Sequence, residues 1–123
     1  MNNKKNILII NDDKTFCKLF KEKLNEYGIE VDSVYEGYSG IQAYSKNKYD
    51  LVFLDFYLNS RIQEFKLLAE LKRLDGSIPI IMLTVKLDSE LEQNCLSLGA
   101  LDYFHIPFNW ADMESLLKKY SII

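Results

Sequence analysis

The stretch Ile7-Leu8-Ile9-Ile10-Asn11-Asp12-Asp13 decides how this chain is read. Four apolar residues, three of them β-branched, are too few for a helix and sit between polar flanks. Such a run is a strand buried on both faces. Two further runs repeat the pattern: Leu51-Val52-Phe53-Leu54, ending at Asp55, and Pro79–Leu83, ending at Thr84. Strands covered on both faces belong to parallel sheets, and each of these leads directly into polar residues at its carboxyl end.

The segments between them carry helical periodicity. Lys14–Tyr27 places Phe16, Leu19, Phe20, Leu24 and Tyr27 on one stripe, with Asp13 as N-cap and Gly28 as the C′ stop. Ile29–Val34 alternates apolar and polar residues, as a half-exposed strand does, and Ser39–Lys46 is a short helix. Glu64–Leu74 puts Phe65, Leu67, Leu68 and Leu71 on one face and stops at Asp75-Gly76. Ser89–Leu98 is a helix closed by Gly99. Leu101–Ile106 is a strand cut off by Pro107, and Trp110–Tyr120 is a last amphipathic helix. Five strands alternating with five helices imply βαβ units with right-handed crossovers. The expected fold is α/β, a doubly wound (βα)5 flavodoxin-like arrangement with a parallel sheet in the order 2-1-3-4-5.

The 123 residues are enough for one domain, expected to span 1–123, and for one core. No apolar stretch approaches the ~20 residues of a membrane span, and the N-terminus has no signal-peptide pattern. Two cysteines without an extracellular signature fit a reducing cytoplasm, and a net charge of −3 argues against direct nucleic-acid binding. Cys17 and Cys95 lie in helical patterns and read as packing residues. Most of the aromatic residues belong to the core, while Trp110 and Tyr120 offer a partner surface on the last helix.

In open doubly wound sheets, ligands sit outside the carboxyl ends of the strands. Those ends carry Asn11-Asp12-Asp13, Asp55, Thr84 and Ile106-Pro107. Strands one and three are neighbours in the expected order, which brings Asp12 close to Asp55. Two carboxylates ~4 Å apart repel by about 4 kcal/mol at an effective dielectric of 20, so such a pair normally holds a cation or a proton. Oxygen ligands alone suit Mg²⁺. Each residue also has a simpler reading: Asp13 as a helix cap, Asp55 as a turn residue, Thr84 as an ordinary β-branched strand residue. Together, at three ends on one edge, they point to a site.

These segments, with Leu98-Gly99-Ala100-Leu101-Asp102-Tyr103-Phe104 and Pro107-Phe108, resemble the response-regulator receiver domains of two-component signalling over nearly the whole chain. The resemblance implies that Asp55 is the phospho-acceptor, attacking a phosphohistidine on a histidine kinase or phosphotransfer protein. It implies that Asp12, Asp55 and the backbone carbonyl of Tyr57 hold Mg²⁺. Thr84 would donate to a phosphoryl oxygen, and Tyr103 would be the aromatic that turns inward. The surface of the fourth helix, fifth strand and fifth helix would then signal, with a homodimer or output partner engaged through the last helix. Any output domain would lie in a partner or outside this chain.

Four departures qualify the resemblance. Asn11 replaces the first of the family's acidic pair and would weaken Mg²⁺, reaching it only through water, with Asp13 a partial substitute or simply a cap. Ile106 replaces the lysine before the proline. His105 is a poor surrogate because neighbours on a strand face opposite ways, and Lys86 has the reach but reads as a loop residue. Val85 stands where a small residue is usual, narrowing access to Asp55. The loop at Tyr57–Gln63 lacks the usual proline and glycine. The leading reading is a phosphorylatable receiver; the alternative is a pseudo-receiver, an interaction module independent of phosphorylation. A flavodoxin-type cofactor carrier needs a neutral phosphate-cradling loop, whereas Asn11-Asp12-Asp13 would repel a phosphate without a metal, and an aspartate phosphatase would need an acid at Tyr57, so a small-molecule enzyme is not expected.

Overall fold

Five short strands, each followed by a helix, build the chain in a computed structural model that describes residues 4–55, 61–85 and 88–123, with residues 61–64 described by backbone alone. The elements run β1 (Asn6–Ile10), α1 (Lys14–Asn25), β2 (Glu30–Val34), α2 (Gly37–Lys46), β3 (Leu51–Asp55), α3 (Arg61–Leu74), β4 (Ile80–Thr84), α4 (Ser89–Ser97), β5 (Asp102–His105) and α5 (Trp110–Lys119). The strands form one parallel sheet in the order β2-β1-β3-β4-β5, the flavodoxin-like arrangement anticipated from the apolar runs.

Period-two alternation divides the sheet into two cores. Leu8, Ile10, Val52, Leu54 and Met82 face one way and pack with Leu68 and Leu71 of α3 and Leu91 and Cys95 of α4. Ile7, Ile9, Leu51, Phe53, Ile81 and Leu83 face the other and pack with Phe20 and Leu24 of α1 and Met113 and Leu117 of α5. Each such side chain contributes about 1.5–3 kcal/mol by leaving water. That makes a one-residue slip of a central strand prohibitive, since it would exchange both faces at once. Helix α2 joins the first core closely. Gly40 lies against Ile10, and a Cβ there would collide with the isoleucine side chain.

The helix ends are closed by local chemistry. Asp13, Asp88 and Asn109 accept the N–H of Phe16, Leu91 and Asp112 at 3.0, 3.1 and 2.9 Å, satisfying first-turn donors. The regular part of α1 ends at Asn25 rather than Tyr27. The chain then turns through Gly28 at φ +79°, with the Ile29 N–H returning to the Leu24 carbonyl at 3.2 Å. After α5 the same turn is made by Ser121 at φ +59°, with the Ser121 N–H donating to Lys118 and the Ile122 N–H to Leu117. Strand β5 is one residue shorter at each end than expected. Leu101 and Ile106 still donate to the Ile80 and Thr84 carbonyls at 2.7 and 2.8 Å, so they flank the ladder rather than leave it. The Ile106–Pro107 bond is cis.

Two substitutions with opposite signs test this account. Ser121 is exposed and holds a left-handed conformation that costs an L-residue about 1–2 kcal/mol. Allowing for the larger unfolded-state entropy of glycine, Ser121→Gly should raise stability by roughly 0.5–1 kcal/mol in urea unfolding. Gly40→Ala should lower it by about 1–3 kcal/mol through overpacking against Ile10.

Candidate functional site

The register of the sheet carries the polar ends of three strands to one edge. Ile10 pairs with Leu54, Asp55 with Leu83, and Thr84 with His105. Asn11 therefore lies level with Asp55, and Thr84 one residue beyond it. All three are buried, at 3%, 7% and 3% exposure, and they are the buried polar residues of a core otherwise apolar among the described residues. Burial of a carboxylate costs several kcal/mol unless charge or hydrogen bonds offset it, so Asp55 is an expensive residue to keep at the end of β3.

The residues after β1 divide their roles. The Asn11 Oδ1 accepts the Asp13 N–H at 2.9 Å, which folds the loop over, and the Asp13 Oδ1 caps α1 through Phe16. One lone pair of the Asn11 amide is thus engaged with backbone, and Asp13 acts as the cap. Asp12 is exposed, with its carboxylate at the surface beside this turn. The Cys17 thiol donates to the Asn11 carbonyl at 3.5 Å beneath them. Burial first, then the carboxylates of Asp13, Asp55 and Asp12, push that thiol up to about 11, against the lowering effect of a hydrogen bond from Ser33. The three carboxylates therefore converge on one buried thiol. Burial likewise raises Cys95 to about 11, and neither cysteine is reactive near neutral pH.

Donor chemistry at this edge is oxygen alone: Asp12, Asp55 and an amide. That suits a hard cation such as Mg²⁺, although Asn11 brings no charge to it. Among the described residues, no three His, Cys, Asp or Glu side chains are grouped as a metal centre. The expected third ligand, the carbonyl of Tyr57, lies outside the described residues, as do Lys86 and the loop at Tyr57–Ser60.

On the β5 side, Tyr103 is partly buried in the core shared with α3 and α4. The Glu92 carboxylate of α4 raises its hydroxyl above the usual range, by its charge first and also by a hydrogen bond. His105 faces the same way: its Nε2 lies 3.0 Å from the Glu92 Oε1, and its ring sits edge-on to Tyr103 with centroids 6.0 Å apart. The Nε2 is buried and makes no directed hydrogen bond, so it meets Glu92 by proximity alone. This cluster of Tyr103, His105 and Glu92 escaped sequence reading because Glu92 belongs to an unremarkable helical face. The spacing of Tyr103 and His105 by two was the available clue.

Ile106 packs with the other core, and with Val85, Phe16, Leu19, Phe108 and Trp110 it lines an open apolar groove of about 380 Å³. Val85 is 59% exposed on the wall of that groove. The last-helix aromatics are less available than their sequence positions imply. Trp110 stacks on Phe20 with centroids 6.1 Å apart and meets Phe108 edge-on at 5.2 Å. Tyr120 lies just beyond α5, and its hydroxyl donates to Asp102 at 2.6 Å.

Residues 7–118 match the response regulator receiver domain family. The chain belongs to that family. This receiver domain is 32% identical over 123 residues to the transcriptional regulatory protein RprY of Bacteroides fragilis, an alignment covering 97% of this chain and 52% of that protein. It is 33% identical over 113 residues to the response regulator ArlR of Staphylococcus haemolyticus, covering 92% of this chain and 51% of that one. The chain thus spans about half the length of these curated relatives. A two-component response regulator from Clostridium difficile superposes with a TM-score of 0.88 at 30% identity, with 96% of each chain covered.

A clamp across β5 and α5 holds the Tyr103 region of the receiver in place. Burial would raise the Asp102 carboxyl, but donation by Tyr120, by the Tyr103 N–H and by Lys119 outweighs it and holds Asp102 below its usual value. A depressed carboxylate stabilises the fold above its unfolded value of about 3.9, and that contribution disappears as pH falls through the lower folded value. The stability gap between wild type and Asp102→Asn should therefore hold constant from about pH 5 to 8 and close below about pH 4. Urea unfolding across that range measures it.

Proposed function

We propose that this receiver domain accepts a phosphoryl group on Asp55 from the phosphohistidine of a histidine kinase or phosphotransfer protein. The burial of Asp55 level with Asn11 and beside Thr84, at the carboxyl edge of the sheet, is the observation that carries this reading. An Asp55 carboxylate oxygen attacks phosphorus, the P–N bond to the donor imidazole breaks, and the imidazole leaves with the electron pair and takes up a proton. Asp12 and Asp55, with the Tyr57 carbonyl, would hold Mg²⁺, which supplies positive charge against the phosphoryl oxygens. Thr84 donates its hydroxyl to one of those oxygens, and Tyr103 leaves Glu92 to follow it inward. Phosphorylation thereby biases an existing equilibrium at the α4–β5–α5 surface rather than creating a new state.

The relatives RprY and ArlR are by name a transcriptional regulatory protein and a response regulator. An output of that kind, coupled through the α5 face to a partner, a second copy or a further domain, fits this domain's size and charge. No described helix is long and apolar enough to cross a membrane, and a cytoplasmic location accords with the use of a histidine kinase.

One observation favours a second reading. Ile106 and Val85, the two apolar departures nearest the site, line the same groove, as they would in a pseudo-receiver that binds partners without phosphorylation. The readings separate on one measurement. Incubated with Mg²⁺ and a small phosphodonor, the wild type should gain a single labile adduct by intact mass, and Asp55→Asn should gain none. A wild type that stays unmodified with its fold intact sinks the phospho-acceptor reading.

The missing charges yield a second expectation. Restoring the acid with Asn11→Asp should tighten Mg²⁺ by roughly tenfold, since ligand charge sets affinity at oxygen sites. Ile106→Lys should enlarge the amide shifts of Thr84 and Tyr103 on binding a beryllofluoride mimic. NMR titration reads both.

A further inference from the structure

The free edge of β2 lies at the floor of a groove whose chemistry the phosphoryl site does not use. Two adjoining hollows, of about 690 and 390 Å³, run along this edge strand and share Lys21 and Asp32 on their walls. Helix α1 forms one wall with Lys14, Lys18, Lys21 and Asn25, spaced at one-turn intervals along a single face. The three lysines are exposed, and among the described residues none of them makes an ion pair. Lys14 sits 5.1 Å above the Tyr35 ring, itself 43% exposed at the end of the groove. Two carboxylates are present: Glu30 pairs with Lys4 at 3.5 Å, and Asp32, which keeps its charge, accepts from the Tyr49 hydroxyl at 2.7 Å. The two are outnumbered by Lys4, Lys14, Lys18 and Lys21. In a chain of net charge −3, the β2 edge is a concentrated positive strip.

Backbone geometry supplies the second observation. The Glu30 N–H donates to Lys5 at 2.9 Å and the Val34 carbonyl accepts from Asn11 at 3.0 Å, so the even-numbered residues of β2 turn their backbone groups toward β1. Val31 and Ser33 therefore direct their N–H and C=O groups to the open side, since β2 ends the sheet. Along an added strand, successive side chains would alternate between α1 and α2. The α1 side offers lysines. The α2 side offers Val34 and Ala43.

We propose that this edge binds an acidic, extended segment of a partner protein, which adds to β2 as a sixth strand. Its alternate carboxylates face Lys14, Lys18 and Lys21, and its intervening apolar side chains face Val34 and Ala43. Backbone pairing supplies affinity and the lysine row supplies selectivity. The lysine row begins beside the carboxyl edge but uses neither Asp12, Asp55 nor Thr84, so occupancy requires no modification of Asp55.

The test uses a fluorescein-labelled peptide of about eight residues alternating Glu and Val, the length of an ordinary strand. Binding, followed by fluorescence anisotropy, should weaken with added salt and by about tenfold or more in Lys18→Glu, and should persist in Asp55→Asn. The Val31 and Ser33 amides should exchange more slowly in the complex. N-methylation of one alternate set of peptide residues should abolish binding, while the other set tolerates it. The proposal is overturned if the peptide fails to bind, if Lys18→Glu binds it undiminished, or if both methylated peptides bind. Equal binding of a single-stranded oligonucleotide makes the strip an unselective polyanion site and also overturns it. Failure to bind accompanied by self-association of Lys18→Glu assigns the lysines to guarding the edge alone.

Discussion

A parallel sheet with an apolar core on each face leaves polar chemistry only two places, the strand ends and the sheet edges. In this chain every residue of β3 and β4 is buried. Their backbone groups are paired and their side chains are committed to packing, so neither strand can host a charge along its length. Asp55 and Thr84 appear where the strands stop. The same constraint explains the helices. Both cores need a cover, and the right-handed crossovers that supply α2, α3 and α4 on one side and α1 on the other, beside the terminal α5, fix which loops meet at the carboxyl edge.

Competition for hydrogen-bond partners then shapes that edge. Asn11, Asp12 and Asp13 are adjacent in sequence but go to three different environments. Asn11 is buried and bonded to backbone, Asp12 is exposed, and Asp13 closes the first turn of α1. An aspartate cap is worth about 1 kcal/mol, and moving Asp13 to a metal would surrender it. The stability of α1 thus opposes recruiting Asp13 to supply the charge missing at Asn11. Function at this site would rest on Asp12 and Asp55, with Cys17 packed below as an unreactive spacer.

The fold was legible because its determinants are local and repeated. Runs such as Ile7–Ile10 and Ile80–Leu83 can hardly be anything but buried strands, and Gly28 and Gly99 mark helix ends through positive φ. The placing of Asn11, Asp55 and Thr84 on one edge followed from strand order and register alone. What sequence did not reveal depends on contacts between distant segments. Glu92 meets Tyr103 and His105 only because α4 crosses β5 at that level. Tyr120, expected on an outer surface, is drawn inward by Asp102, whose half-buried carboxylate needs donors. The start of α1 is another case. Lys14, Lys18 and Lys21 carry no signal in the sequence until the sheet places a free strand beside them.

The charge distribution of the folded domain is more uneven than its net value of −3 implies. Carboxylates gather at the carboxyl edge around Cys17, while lysines gather along α1 toward β2, one helix serving both. Lys14 begins the lysine row one residue after Asp13 caps the helix. At the surface these charges interact across a Debye length of about 8 Å at physiological ionic strength. Adding negative charge at Asp55 would therefore be felt most strongly by the first lysine of the row and little by the last. Covering the row with an acidic segment would, in turn, remove positive potential from the approach to Asp55. The carboxyl edge and the β2 edge share a helix, so charge added at one would be felt at the other even where the backbone does not move.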